Sequence, residues 1–250
     1  DLLNKMRSKH IMAGYALDLT VLDEDGTPWD STLQRKREKA RRLVREQKPY
    51  MLIGSPACTA FSTWMALNEA RSKNPEKIRA ARAKAVMHLE FMIRIYYEQI
   101  DNGRYFLHEH PQNATSWQLT QMKSLGEAQG VVRVNGDQCQ YYQANAAGDP
   151  IRKATGWMSN PDEVLRSLSA KCPGRSSGSG GACSEGKWHG IASGRAAREA
   201  AVYPFKLCKA ILVGFRSQMI RDGRLRRGSH GFQMMFEEDA IAGYYDAVTG

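Results

Sequence analysis

No apolar run in the chain approaches the ~18 residues that a membrane-spanning helix requires, so no membrane partner is expected. There is no Cys-x-x-Cys pair. The five cysteines, Cys58, Cys139, Cys172, Cys183 and Cys208, are odd in number and widely spaced over 250 residues. That pattern argues against a disulfide framework and for a reducing compartment, nucleus or cytoplasm. Internal repeats are absent. So are a leading methionine and a signal peptide: the chain starts Asp1-Leu2-Leu3-Asn4-Lys5, and is expected to be a piece of something longer. Acidic residues are in deficit, 26 against 36 Lys+Arg, giving a formal charge of +10. The resulting pI near 9.4 suits a polyanion such as DNA or RNA, although many basic proteins bind neither.

What is present is ordinary globular material, 42% hydrophobic and 25% charged, enough for one large α/β domain with a small appendage. Residues 16–22 read as a short strand leading into the acidic turn Asp23-Glu24-Asp25-Gly26. A helix is expected from Ser31 to Gln47, capped by Asp30 or Ser31 and bearing a basic face from Arg35 to Arg45. Tyr50–Ile53 reads as a strand buried on both faces. Pro75–Ile100 is the clearest helix, with Ile78, Ala85, Leu89, Met92 and Tyr96 at helical spacing. A second strand covers Arg104–His108, and a short helix Ser116–Leu125. Val131–Tyr142 reads as a hairpin turning at Asn135-Gly136. A further strand is expected at Ile151–Asn160 and a helix at Pro161–Lys171. Pro173–Ala182 is Gly/Ser-rich and reads as a flexible loop. Gly194–Phe215 is expected to be helical and broken at Pro204, before a basic tail.

Two strands thus end in reactive side chains. Gly54-Ser55-Pro56-Ala57-Cys58-Thr59 follows the first and Glu109-His110-Pro111 ends the second. In open α/β sheets ligands bind beyond the carboxyl ends of strands. A free cysteine is usually a small core residue, and a Glu between two histidines is usually a surface carboxylate, but the strand-end placement tilts both toward function. Methylation of carbon 5 of cytosine needs this pair of groups. A thiolate adding at carbon 6 makes carbon 5 nucleophilic, and a carboxylic acid at ring nitrogen 3 takes up electron density. The base must also be unstacked.

Ser55-Pro56-Ala57-Cys58-Thr59-Ala60-Phe61-Ser62 resembles the Pro-Pro-Cys…Phe-Ser motif of the cytosine-5 methyltransferase family, and Glu109-His110-Pro111 resembles its Glu-Asn-Pro/Val motif. The resemblance implies a Rossmann-like methyltransferase core, a mostly parallel sheet flanked by helices, with a smaller irregular recognition region. It implies S-adenosylmethionine as methyl donor and nucleic acid, DNA rather than RNA, as substrate. Cys58 would be the nucleophile and Glu109 its acidic partner. Asp18, Asp30, Ser55 and Pro56 would contact the cofactor, and Arg133, Gln138 and Arg152 the substrate. Residues 1–130 would form the catalytic core, 131–193 the recognition region, 194–216 a helix returning to the core and 217–250 a basic tail. Ala200–Ile211 is similar in texture to a small-residue helix that packs under the cofactor in that family.

The departures are the family's Asp-Leu-Phe-x-Gly-x-Gly turn and its Gln-x-Arg-x-Arg motif, both missing here. They motivate an alternative, a non-catalytic nucleic-acid-binding remnant within a larger mobile-element or phage-type protein. A Cys/His hydrolase using Cys58 with His108 or His110 is a third idea. Strand alternation would put His108 and His110 on one face and Glu109 on the other, which disfavours metal there. Cys172, Cys183 and His189, with Cys139 as a fourth, match no strong zinc spacing; unrelated cysteines and no metal are expected.

Overall fold

Met51–Gly54 (β1) and Tyr105–Pro111 (β2) lie side by side in parallel, with Met51 opposite Tyr105 and Gly54 opposite His108. They belong to the computed structural model of the chain, which describes residues 14–63, 65–174, 183, 186–191, 197 and 200–226. The chain divides into two compact units, Ser31–Gln218 and a second made of Asp1–Asp30 with Met219–Gly250. Among the described residues no helix is long and apolar enough to cross a membrane.

The larger unit is α/β. Its sheet has the order β1-β2-β4-β3, with β3 at Val132–Asp137 and β4 at Ala154–Ser159. The expected mostly parallel sheet is corrected to a mixed one: β4 runs antiparallel to both β2 and β3, so only the β1–β2 ladder is parallel. The cause is the connection. A parallel return needs a crossover of a dozen or more residues that carries the chain back over the sheet. The segment from β3 to β4, residues 138–153, is long enough for that but does not cross the sheet: it forms a 3-10 turn, Gln138–Tyr141, and a loop pinned by the Ala144–Pro150 bridge, and returns the chain at the end it left. β3 and β4, from the stretch expected to be the recognition region, thereby complete the sheet.

Among the described residues six helices flank these strands: α1 (Gln34–Gln47), α2 (Met65–Arg71), α3 (Pro75–Asp101), α4 (Thr120–Gly126), α5 (Asp162–Leu168) and α6 (Phe205–Arg221). α3 and α4 cover one face, where Leu89, Ile93, Tyr96, Phe106, Trp117, Met122, Leu125 and Met158 form the main core. The ring of Tyr96 stacks on Phe106 at 4.6 Å. α5 and α6 cover the other face. Gly214 of α6 lets the two helices touch, since a Cβ there would sit 2.7 Å from Val164 Cα.

Other expectations shift locally. α1 begins at Gln34, with Leu33 and not Asp30 or Ser31 at its N-cap position. Instead the Arg37 guanidinium donates to the Ser31 and Thr32 carbonyls, both at 2.8 Å. The basic face of α1 is partly neutralised, because Arg41 and Arg45 both meet Glu98 of α3. Residues 16–22 form turns and one bridge, Leu22–Pro28, rather than a strand. β1 lies at the sheet edge with Ile53 exposed, so it is not buried on both faces. The expected turn at Asn135-Gly136 is a continuous strand; a Cβ on Gly136 would overlap the Leu168 carbonyl, so its glycine serves close approach of α5. α6 starts directly after Pro204, where the break was expected; residues 194–196, 198 and 199 of the expected helix lie outside the described residues.

Gly54, at the end of β1, is a second close approach. A Cβ there would overlap the Tyr96 hydroxyl, which itself bonds His108 Nδ1 at 3.0 Å. Gly54→Ala is expected to cost about 1–3 kcal/mol. In a Tyr96→Phe background the added cost should shrink by at least ~0.5 kcal/mol, because the overlapping oxygen is gone. Urea unfolding of the four proteins measures this, and strict additivity would refute the contact.

Candidate active site and a cysteine-rich cluster

β2 sorts its side chains by alternation. Tyr105, Leu107 and Glu109 face α5 and α6, whereas Phe106, His108 and His110 face α3. The two imidazoles lie 4.8 Å apart, centroid to centroid, on the side opposite Glu109. His110 Nε2 lies 3.1 Å from the Pro56 carbonyl, which can only accept, so Nε2 carries the proton. Nδ1 then accepts from the Ser116 hydroxyl at 2.6 Å. This neutral His110 ties the loop after β1 to β2.

The same loop is held twice more. The Ser55 hydroxyl donates to Glu109 Oε2. Phe61, fully buried, closes the 3-10 turn Thr59–Phe61 by donating its N–H to the Cys58 carbonyl at 2.9 Å. Cys58 therefore sits half-buried on a loop with little freedom, beside the end of the neighbouring strand. Burial pushes its thiol above the ordinary value of 9.0, and the negative charge of Glu109 pushes it further the same way; Lys153 offsets part of this.

Glu109 is only 4% exposed. Its Oε1 makes no hydrogen bond among the described residues, and the Lys153 ammonium stands 3.9 Å away. Lys153 also donates to the Ala200 carbonyl at 2.9 Å. Its φ of +30° is strained for a residue with a side chain, and such strain concentrates at functional positions. Tyr203, whose phenol is buried against Glu109 and Ser55 with its pKa held well above the usual value by that burial, closes this side of the pocket. Sequence reasoning missed Lys153 and Tyr203. Tyr203 carried a signal, its place just before Pro204 in the small-residue segment; Lys153 carried none.

The remaining expected residues are placed as follows. Ser55 and Pro56 contact Glu109 and His110, so the polar groups expected to meet a cofactor are engaged inside the protein. Asp18 and Asp30 belong to the other unit. Asp18 Oδ1 accepts from the Thr20 amide and hydroxyl, at 2.8 and 2.7 Å, and the hydroxyl bond foremost holds its carboxyl below the usual value. Arg133 pairs across the ladder with Met158, which pairs with His108, so it lies on the histidine face and not with Glu109. Its guanidinium stacks 3.9 Å over Trp117 and donates to the Gln112 carbonyl at 2.7 Å. Gln138 is buried and bonds Thr155 Oγ1 at 2.9 Å, and Arg152 pairs with buried Asp137 at 3.4 Å. The structure thus brings Cys58, Glu109 and Ser55 together, leaves Arg133 on the far face, and gives Gln138 and Arg152 partners within the protein.

A second cluster corrects the expectation of unrelated cysteines. Cys139, Cys172, Cys183 and His189 are all buried, and their donor atoms lie within 4.8 Å of one another. They come from three places: the 3-10 turn after β3, the segment after α5, and a tight turn around Gly186. Their sequence spacing follows no local zinc pattern because the fold, not a single loop, assembles them. Set against models of protein families, curated proteins and solved structures, the chain matches none of them.

Two outcomes follow from these environments. Burial holds His108 well below, and His110 below, the ordinary 6.5. The unfolded chain therefore binds more protons than the folded one once pH falls below 6.5, and stability should fall with it, by up to ~1.4 kcal/mol per pH unit for each histidine. Unfolding free energies measured in urea from neutral to mildly acidic pH should slope accordingly; a flat profile contradicts neutral buried imidazoles. Separately, Glu109→Gln should speed alkylation of Cys58 severalfold at mildly alkaline pH, because it removes a charge that disfavours the thiolate. Site-resolved mass spectrometry reads the rate, and an unchanged rate would uncouple the two residues.

Proposed function

We propose that the chain is a cytosine-5 methyltransferase-like protein with a Rossmann-like core, in which Cys58 and Glu109 activate a cytosine base in nucleic acid, DNA in preference to RNA. One observation carries this reading. Glu109 Oε1 is buried without a hydrogen-bond partner, beside Cys58, at the carboxyl ends of two adjacent parallel strands. A buried polar atom left unsatisfied in a pocket calls for a ligand group, and ring nitrogen 3 of cytosine, an acceptor, fits when the Glu109 carboxyl is protonated and donates to it.

In this reading the Cys58 thiol gives its proton to water, and the thiolate sulfur bonds to carbon 6 of the base. The electron pair of the 5,6 double bond moves toward nitrogen 3, where the Glu109 carboxyl supplies a proton. Carbon 5 is then enamine-like and takes up an electrophile. A proton from water suffices: carbon 5 gains it, gives its original proton back to water, and the thiolate leaves as the double bond reforms and Glu109 recovers its proton. Lys153 favours the thiolate of Cys58. The base has to leave its stack to reach these groups, and the +10 charge favours the polyanion that carries it. S-adenosylmethionine would supply the methyl group. Among the residues expected to hold it, however, Ser55, Pro56 and Asp18 spend their polar groups within the protein, so they do not fit as its cradle.

The raised thiol of Cys58 favours a second reading, a nucleic-acid-binding remnant of the same fold without chemistry. Hydrogen exchange at carbon 5 separates the two without a methyl donor. An oligonucleotide labelled with deuterium at carbon 5 of cytosine should lose label to water with the native chain. The loss should stop in Cys58→Ala and fall by about 100-fold or more in Glu109→Gln. Salt-sensitive binding with no exchange above the Cys58→Ala level would overturn catalysis and leave the remnant; deoxyribose and ribose substrates compared in parallel test the preference for DNA.

A further inference from the structure

The four buried donors at the end of β3 are arranged as the ligands of one metal ion. We infer that Cys139, Cys172, Cys183 and His189 form a mononuclear, structural zinc site of the Cys₃His type. The inference is independent of the reading of Cys58 and Glu109.

Geometry is the first support. Zinc–sulfur and zinc–nitrogen bonds of about 2.3 and 2.0–2.1 Å in a tetrahedron set ligand–ligand edges of about 3.8 Å between two sulfurs and about 3.6 Å between sulfur and nitrogen. Cys172 Sγ lies 3.8 Å from Cys183 Sγ and 3.5 Å from His189 Nε2. The sulfur separation is far beyond the ~2.05 Å of a disulfide, and all five cysteines are free. Three cysteines clustered only as small apolar side chains would have no need of an imidazole nitrogen at ligand distance.

The surroundings are the second support. The Gln140 amide points its N–H groups at Cys139 Sγ, 3.7 Å away, and at Cys183 Sγ, 3.9 Å away. Amide donors directed at sulfur suit thiolates, and outer groups that orient and stabilise the ligands are characteristic of metal centres. The ligand backbones are fixed as well. The Cys172 N–H donates to buried Asp137 Oδ2 at 2.9 Å. Cys183 accepts from Gly186 N at 2.8 Å and donates to the Lys187 carbonyl, making a tight turn in which Gly186 has φ +76°. Gly190, next to His189, donates to the Pro150 carbonyl at 2.9 Å. Soft thiolates with one imidazole in a tetrahedral set select zinc among common divalent ions. Four protein ligands leave no position for a substrate, so the role is to cross-link β3, the end of α5 and the segment around His189.

The test is metal analysis of the full chain produced with zinc present. Elemental mass spectrometry should find about one zinc per chain, released in step with modification of three thiols by a mercurial reagent. Replacement by cobalt(II) should give the intense visible bands of tetrahedral cobalt and a thiolate charge-transfer band. Cys172→Ser should lose most of the zinc, while Cys58→Ser and Cys208→Ser, outside the cluster, should keep it. If Cys172→Ser does not fold, His189→Cys keeps the question open to decision: it should retain zinc, and its cobalt spectrum should shift as a fourth thiolate replaces nitrogen. A folded, zinc-free native chain overturns the site, as does a Cys172–Cys183 disulfide in the native chain or undiminished zinc in Cys172→Ser.

Discussion

Burial of β2 on both faces is the constraint on which the candidate chemistry depends. A strand covered on both sides separates its side chains into two compartments only one backbone apart. In one, His108 and His110 are held neutral against Tyr96 and Trp117. In the other, Glu109 is enclosed by Ser55, Tyr203 and Lys153. A register slip of a single residue would exchange the two sets and put a carboxylate into the aromatic core. The ladder to β1 on one side and to β4 on the other prevents that slip.

The histidine compartment nevertheless serves the carboxylate compartment. His110 reaches through to the Pro56 carbonyl, so the loop carrying Cys58 is anchored to β2 from the side opposite Glu109. Ser55 anchors it again from the Glu109 side. The thiol and the carboxylate are brought together by bonds that neither of them makes to the other. Their proximity opposes ionisation of the thiol, and Lys153 offsets only part of that. An arrangement of this kind suits a site completed by its ligand: a base that binds the protonated Glu109 carboxyl stabilises the form whose charge no longer suppresses the thiolate.

Where sequence reasoning succeeded, a strong local signal agreed with the tertiary structure. The long periodic helix α3 and the compact apolar runs of β1 and β2 declared themselves, and the alternation of His108, Glu109 and His110 was legible because it needs only a regular strand. The failures are tertiary in origin. Asn135-Gly136 is turn chemistry by composition, yet it runs straight because α5 needs a glycine to approach β3. Arg133 was close to the expected substrate region in sequence, but strand parity sends it to the other face. Lys153 could not have been found, since its role comes from a strained backbone that brings an unremarkable lysine to Glu109.

The cysteine cluster was the hardest part to read for the same reason, and it bears on the rest of the site. Zinc patterns are recognisable when two ligands share a short loop, and here Cys139 is 33 residues from Cys172 in a segment built around different contacts. Cys139 follows Gln138, whose backbone N–H bonds the Arg152 carbonyl at 2.8 Å and whose side chain bonds Thr155. Thr155 Oγ1 in turn donates to the Lys153 carbonyl at 2.8 Å. The strained lysine beside Glu109 is therefore held from behind by the segment that supplies the first cysteine ligand. A strained conformation persists only where its surroundings over-determine it. The cluster and the Gln138–Thr155–Lys153 chain are that over-determination, which makes the cysteine-rich end of the sheet part of the support for the carboxylate pocket rather than a separate appendage.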